Sequence, residues 1–258
     1  GPKWATFYGD DALAHQLRFF DRHLRDQDAP ALPPLRLEVR DRGDRVVEIR
    51  DEHEWPLART AWRRLHLADA GTLSEVAPTA GSATFRLRRG AVAFDFRFAE
   101  DTELSGPMTL RLRVATTGAE DPRLFVGVEK RDAGGAMPFE GSYGYGRDRV
   151  AQGRLRLALR ALDDAAGMPH QPEHAFRTVE HVHDGEVMDV LIPLSPSATL
   201  FRAGEALRLM VAGQYLEPRN PLFGHFPTHY VPSRSGTATI SWSPERPSYL
   251  EVPVIPSA

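Results

Sequence analysis

The sequence of 258 residues contains no cysteine. Disulfide bonds, thiolate metal sites and cysteine nucleophiles are therefore excluded within it. The absence is typical of proteins from a reducing compartment, so we expect a cytoplasmic location. No apolar run approaches the roughly 20 residues that cross a bilayer, and the N-terminus lacks the basic and then apolar layout of a signal peptide. These absences predict a soluble protein.

A strong charge of either sign is missing as well. The formal net charge is −3 although 26% of the residues are charged, and acidic and basic residues are interspersed. Binding to nucleic acid or to a membrane surface requires a concentrated basic face. We therefore expect neither among the partners of this protein.

Turn residues, in contrast, are plentiful. The 21 glycines and 21 prolines separate short stretches in which apolar and polar residues alternate, as in half-buried strands. About ten such stretches with no long helix between them predict an all-β, antiparallel sandwich, and a jelly roll of the galactose-binding-like kind fits them best. The stretches lie at residues 35–39, 65–67, 94–98, 110–114, 125–128, 155–159, 187–192, 207–211, 237–242 and 249–254.

One amphipathic helix is predicted ahead of the sandwich. Asp10 and Asp11 can cap it, and leucine and phenylalanine then recur at helical spacing. A proline-rich linker follows, so we divide the chain into residues 1–28, the helix, and residues 29–258, the sandwich. The helix either packs on the sandwich or is the last helix of an upstream domain. Its candidate contact residues, with a domain or a second copy, are Trp4, Phe7, Leu13, Leu17, Phe20 and Leu24.

Catalytic residues are not predicted in this chain. A serine hydrolase needs a G-x-S-x-G turn between a strand and a helix, and Ser105-Gly106 and Ser235-Gly236 are ordinary turn pairs. His170 with His174, and His181 with His183, are the closest approach to metal-ligand spacing. Pro172 interrupts the first pair and the second lies on a polar loop, so we expect no metal and no organic cofactor.

Aromatic residues in two glycine-rich or proline-rich loops are the candidate pocket residues. Aromatic side chains on such loops either line an apolar pocket or close the end of the sandwich, and the sequence leaves both readings open. The candidates are Phe139, Tyr143 and Tyr145 in the first loop and Tyr215, Phe223, His225, His229 and Tyr230 in the second.

Several segments together resemble the X-Pro dipeptidyl peptidase and cocaine esterase (CocE/NonD) family of serine hydrolases. Residues 16–24 are similar to the helix that ends the α/β-hydrolase domain of that family, and residues 34–40 to the start of its C-terminal domain. Further similar segments are the tryptophan–proline motif at 54–60, the T-E-L-x-G-P turn at 101–108, the strand at 204–209 and the closing strand at 252–256.

The resemblance implies a non-catalytic C-terminal domain that packs on its own upstream hydrolase domain, helps to wall the active-site cleft and aids assembly. The hydrolase domain would cleave an acyl bond, either a peptide bond after proline or an ester. The family's catalytic histidine precedes the aromatic stretch that opens this chain, where residues 1–4 read Gly-Pro-Lys-Trp. The alternative is a stand-alone carbohydrate-binding module, since Trp4, Trp55, Trp62 and Trp242 are available for stacking on sugars.

Overall fold

The computed structural model of the protein describes residues 7–140, 147–217 and 231–256. An N-terminal helix is followed by strands, which account for most of the regular structure. In chain order the elements are α1 (Asp10–Leu24), β1 (Leu35–Arg40), β2 (Val46–Glu52), β3 (Ala61–Ala68), β4 (Thr72–Ser74), β5 (Gly81–Arg86), β6 (Ala91–Arg97), β7 (Thr102–Thr117), β8 (Arg123–Asp132), β9 (Gly135–Ala136), β10 (Phe139–Glu140), β11 (Arg147–Asp148), β12 (Ala151–Arg156), β13 (Val187–Phe201), β14 (Ala206–Ala212), β15 (Thr237–Trp242) and β16 (Tyr249–Ile255).

Fourteen of these strands form one folded sheet, with the order β12-β8-β14-β6-β4-β3-β16-β7-β13-β1-β2. Strand β15 pairs with β5 and β7, β9 pairs with β8, and β10 and β11 form a separate hairpin. Strand β7 has 16 residues and pairs with β13, β15 and β16, so it is the central strand of the fold. The architecture confirms the all-β sandwich with an N-terminal helix.

Most of the pairings are antiparallel, as predicted, and two are parallel. Strand β1 meets β13 at Arg40 and Thr199, and β4 meets β6 at Thr72 and Asp95. Each parallel contact is a single residue pair where two strands come together. Local alternation of side chains does not encode strand direction, so the sequence could not reveal these two contacts.

Alternation along the strands produces the core. In β15 every second residue is buried, and the buried side of β7 carries Leu104, Leu110 and Leu112, which have no exposed surface. Buried side chains from most of the strands form one large hydrophobic cluster. A smaller cluster of Leu37, Val39, Leu57 and Ile255 joins β1 to the end of β16.

The sandwich closes where β12 approaches β13. Gly153 in β12 leaves room for this approach, since a Cβ atom there would lie 2.5 Å from the carbonyl oxygen of Pro193. Strand β12 then ends at Arg156, and residues Leu157–Leu159 form a 3₁₀ turn. The predicted continuation of the strand to residue 159 was therefore wrong: Leu157 is buried in the turn rather than in a pleat.

Helix α1 covers the predicted segment. Gly9 occupies its N-cap position without a side-chain hydrogen bond, and Asp10 and Asp11 lie in the first turn. Their carboxylates are placed there to interact with the positive end of the helix dipole rather than to cap it. In the described ranges no helix is long and apolar enough to cross a bilayer.

Candidate functional site

The apolar side of α1 is exposed. Leu13, Leu17, Phe20 and Leu24, which we call the outward face, have 46%, 57%, 49% and 72% of their surface accessible. Phe7, just before the helix, is 50% exposed, and Trp4 lies outside the described residues. A lone amphipathic helix gains most of its stability by burying this side. The helix does not bury it on the sandwich.

Polar contacts hold α1 with its other side toward the chain. Arg18 donates from Nη2 to the carbonyl oxygens of Pro30 and Ala31 at 3.3 and 3.1 Å, and Arg22 donates to the carbonyl oxygen of Ala29 at 2.8 Å. These arginines bind the linker that follows the helix. Because these hydrogen bonds fix the orientation of the helix, the outward face points away from the linker.

A second tie connects α1 to the sandwich itself. Arg36 of β1 donates to Asp11 at 2.8 Å with one guanidinium nitrogen and to Glu38 at 2.8 Å with another. Arg36 and Glu38 also line a cleft of about 360 Å³ between β1, β13 and residues 148–150. Arg36 therefore contacts the helix and also lines the cleft.

The cleft contains one of the predicted pocket residues. Its lining is mostly polar: Ser197 and Thr199 share a hydrogen bond of 2.8 Å, and charged side chains surround them. The lining residues are Arg36, Glu38, Arg40, Phe139, Asp148, Arg149, Val150, Pro196, Ser197, Ala198 and Thr199. Phe139 is buried and belongs to the main core, as expected of a residue that closes the end of the sandwich.

Tyr215 lies at a different cleft, of about 370 Å³, beside β8 and β12. Its ring meets that of Phe125 edge-on, with 6.2 Å between the centroids, and Gln152, Arg154 and Pro193 complete most of the lining. Phe139 and Tyr215 are therefore not part of one pocket. The remaining candidates, Tyr143, Tyr145, Phe223, His225, His229 and Tyr230, lie outside the described residues.

Arg149 connects the two clefts and was not singled out in the sequence. It donates to the carbonyl oxygen of Leu216 at 3.2 Å and pairs with Glu129 at 3.2 Å and with Glu217. Its stem lies against Gly127 of β8, where a Cβ atom would be 2.6 Å from Cδ of the arginine. No local pattern marks such a residue, since its partners are distant in sequence.

The two serine–glycine turns have structural roles. Ser105 is fully buried in β7 and donates to Glu103 at 2.6 Å. Ser235 donates to the carbonyl oxygen of Gly118 at 2.9 Å. Both hydroxyl groups are used within the sandwich, so neither is presented as a nucleophile.

The described tryptophans do not form an exposed aromatic surface. Trp242 is 3% exposed and packs edge-on against Phe94 in the main core. Trp55 is half-buried against the smaller cluster. The indole of Trp62 is covered by the ring of His170, with 3.8 Å between centroids and an interplanar angle of 8°. A flat surface for stacking on sugars is not present among these three residues.

The histidines considered as ligands are also placed. His170 binds Glu251 through Nδ1 at 2.7 Å, and His174 is buried beside Phe176. His181 and His183 are exposed, and their ring centroids lie 4.5 Å apart. In the described part of the chain, none of these histidines belongs to a group of three or more side chains that could hold a metal ion.

A family model describes this sandwich. Residues 28–251 match the model of the X-Pro dipeptidyl-peptidase C-terminal non-catalytic domain. The chain belongs to this family. The match begins in the linker after α1 and ends in β16, so it covers nearly all of the X-Pro dipeptidyl-peptidase C-terminal domain fold described above.

Solved structures show the same fold within longer chains. A CocE/NonD family hydrolase from Staphylococcus aureus superposes with a TM-score of 0.89 at 30% identity, over 98% of this chain and 47% of that one. An aminopeptidase from a marine sediment Thaumarchaeota archaeon superposes with a TM-score of 0.66 at 16% identity, over 97% and 46%. An α-amino acid ester hydrolase does so with a TM-score of 0.62 at 19% identity, over 96% and 46%.

The chain thus spans about half the length of the solved structures that it matches. The two structures below 25% identity establish the fold alone. A search of curated proteins found no match.

Proposed function

We propose that this chain is the C-terminal domain of a longer hydrolase, in which it packs on an upstream α/β-hydrolase domain through the outward face of α1. The observation that carries the proposal is the exposure of Leu13, Leu17, Phe20 and Leu24 on a helix whose polar edge is tied to the chain. An apolar face held outward in this way requires a partner. The candidate partner is a domain equivalent to the half of the Staphylococcus aureus hydrolase that this chain does not cover.

Under this proposal residues 1–28 belong structurally to the hydrolase domain and residues 29–258 form the jelly-roll domain. The start of the family match at residue 28 supports this division. The Arg36 contact then sets the angle between the two domains, because it joins Asp11 of the helix to Glu38 of β1.

The sandwich would not perform chemistry. It would wall the active-site cleft of the hydrolase domain with the surface around Phe139 and Tyr215, and contribute to assembly. The hydrolase domain would cleave an ester or the peptide bond after proline through a serine nucleophile. The names of the CocE/NonD hydrolase and the α-amino acid ester hydrolase support acyl-bond cleavage.

The test compares Leu17→Glu/Phe20→Glu in this chain and in the full polypeptide with its hydrolase domain. In this chain alone the substitutions should leave the free energy of unfolding within about 0.5 kcal/mol, because both side chains are exposed. In the full polypeptide they should lower it by about 3 kcal/mol or more and reduce turnover of aryl esters and X-Pro anilides, because two charges would enter an apolar interface.

Val76→Glu is the matched control, since Val76 is 75% exposed and far from α1 in the sequence. Equal effects of the control and the helix substitutions in the full polypeptide would refute docking through α1. Turnover by this chain alone, surviving a serine-directed inhibitor, would refute the non-catalytic role.

A further inference from the structure

Residues 160–186, which we call the strap, connect the 3₁₀ turn after β12 to β13 and lie over the sheet. Apart from His174, every residue of the strap is exposed or half-buried. Val182, near its second end, packs against the main core. A segment that otherwise buries little apolar surface has few contacts opposing its separation from the fold. Its attachment therefore depends on a small number of specific contacts.

The tip of the strap is attached through His170. Its ring stacks on Trp62 of β3, and its Nδ1 is 2.7 Å from Oε2 of Glu251 in β16. Its carbonyl oxygen accepts a hydrogen bond of 2.8 Å from the hydroxyl of Thr109 in β7. One residue thus binds three neighbouring strands, and Arg64 orients the carboxylate of Glu251 from the other side at 3.4 Å.

The backbone at the tip is held in an unfavourable conformation. His170 has φ of +65°, in the left-handed region that non-glycine residues rarely adopt, and Phe176 of the strap has φ of +50°. Such residues persist only where surrounding contacts impose the conformation, and they are concentrated at clamps and switches. The contacts of His170 supply that constraint.

The base of the strap is attached separately. Arg160 pairs with Glu180 at 2.9 Å, and the amides of Gly185 and Gly118 bind the carbonyl oxygen of Thr116 and the carboxylate of Asp184. These contacts lie at the two ends of the strap and are independent of the tip. The strap is therefore attached near its two ends and, separately, through His170 at its tip.

We propose that the strap opens off the sheet as a unit and that His170 is the latch that keeps it closed. One further observation favours a readily opened state. The two ring nitrogens of His174 are buried without a hydrogen-bond partner in the described part of the chain. A buried polar group in that condition destabilises the closed strap, and opening hydrates it. Opening also uncovers the indole of Trp62 and the side chain of Thr109.

Single-cysteine labelling tests the latch, because the natural chain has no cysteine. Thr109→Cys places a thiol beneath the tip, at a position that is 6% exposed. It removes the hydrogen bond to the carbonyl oxygen of His170 in every background alike, so the comparison measures the contacts of the His170 ring with Trp62 and Glu251. Its rate of reaction with a maleimide is compared in the His170→Ala, Glu251→Gln and His181→Ala backgrounds. Glu251→Gln weakens the latch without removing any atom that covers the thiol. His181→Ala is the matched control on the exposed part of the strap.

We expect labelling about tenfold faster with His170→Ala and severalfold faster with Glu251→Gln, the size expected for losing a charge-assisted hydrogen bond and a ring stack. His181→Ala should leave the rate unchanged. The labelling rate with His170→Asn should lie between the rates with natural His170 and with His170→Ala, because asparagine tolerates positive φ but cannot stack on Trp62.

A second reporter separates strap opening from global unfolding. Ala238→Cys places a thiol in the core of β15, where the natural side chain is fully buried. With His170 and Glu251 unchanged, it should label much more slowly than Thr109→Cys, because only global unfolding exposes it. If both latch substitutions change the Thr109→Cys rate by less than twofold, His170 is not the latch. If Ala238→Cys labels as fast as Thr109→Cys when His170 and Glu251 are unchanged, the strap does not open as an independent unit.

Discussion

The ammonium of Lys130 lies 2.6 Å from Oδ1 of Asp41, in a position where neither side chain is more than 6% exposed. Lys130 also pairs with Glu205 at 2.9 Å and donates to the carbonyl oxygen of Leu200 at 2.6 Å. The buried ammonium therefore has two carboxylates and a carbonyl oxygen around it. The cluster joins β8 to the loop after β1, to the end of β13 and to the start of β14.

Removing the lysine should be costly. In Lys130→Met, Asp41 and Glu205 remain close together without the buried cation between them, and we expect the free energy of unfolding to fall by about 3–5 kcal/mol. Urea denaturation measures the difference. Arg131→Met is the control on the next residue, whose partly exposed pair with Glu129 should contribute less than about 1 kcal/mol. Equal losses in the two variants would show that the buried cluster is not special.

Acid should destabilise the fold through Asp41. Burial raises the pKa of this carboxyl, but hydrogen bonds from Lys130 and Arg45 and the charges of Lys130 and Arg202 outweigh it and lower the pKa from 3.8 to about 2. The unfolded chain takes up this proton near pH 4, and the folded chain does so only near pH 2. The stabilisation is therefore complete above about pH 4 to 5 and is lost as the pH falls toward 2.

Urea unfolding of the natural chain and of Asp41→Asn at pH 7, 5, 4 and 3 tests this. The variant should be less stable at pH 7 and should lose less stability between pH 5 and pH 3. Some acid dependence should remain in it, because hydrogen bonds from Arg59 and Arg208 lower the pKa values of Glu52 and Asp95. Asp164→Asn, at an exposed position, is the control. Parallel pH curves for Asp41→Asn and the natural chain would contradict the prediction.

Gly153→Ala should separate β12 from β13. The new methyl group would lie 2.5 Å from the carbonyl oxygen of Pro193 and 3.3 Å from side-chain atoms of Ile192 and Leu194. Backbone cannot yield as a flexible side chain does, so we expect a loss of about 1–3 kcal/mol. Gly134→Ala, which meets only a side-chain oxygen of Asp132 at 3.2 Å, should be nearly neutral. Thermal unfolding measures the loss. If the melting temperature of Gly153→Ala falls no further than that of Gly134→Ala, β12 and β13 are not closely packed at Gly153.

Arg18→Met should loosen α1 without affecting the sandwich. The change removes both hydrogen bonds to the linker carbonyls, each worth about 1 kcal/mol, so amide exchange in residues 10–24 should accelerate about tenfold or more. Arg25→Met removes only an exposed pair with Asp21 and should change exchange less than twofold. Acceleration in β7 as well would mean that the helix supports the core.

Sequence periodicity predicted the strands that bury one face. Thr237–Trp242 was predicted with the bounds of β15, and β14 and β16 were predicted to within a residue or two at each end. Strand β2 was missed because it lies at the sheet edge, where Val46, Val47 and Ile49 are all exposed and no alternation in burial marks it. Strand β5 was missed because its small polar residues resemble a turn.

For the candidate site, sequence predicted the residues of the outward face but not its direction. That direction depends on contacts of Arg18 and Arg36 with atoms that no helical pattern specifies. Lys130 and Asp41 gave no signal, because a buried ion pair between residues 89 apart has no local signature. The use of His170 as a tip contact was missed for the same reason.

The central position of β7 has a consequence for how the chain folds. Its partners along the sheet include β15 and β16, the last of which ends at Ile255. Strand pairings between segments so distant in sequence form slowly, because the entropy of closing a long loop is lost before the hydrogen bonds of the pairing form. The pairings of the central strand are therefore incomplete until β16 has been synthesised. The sandwich cannot reach its final fold while β16 is still inside the ribosome.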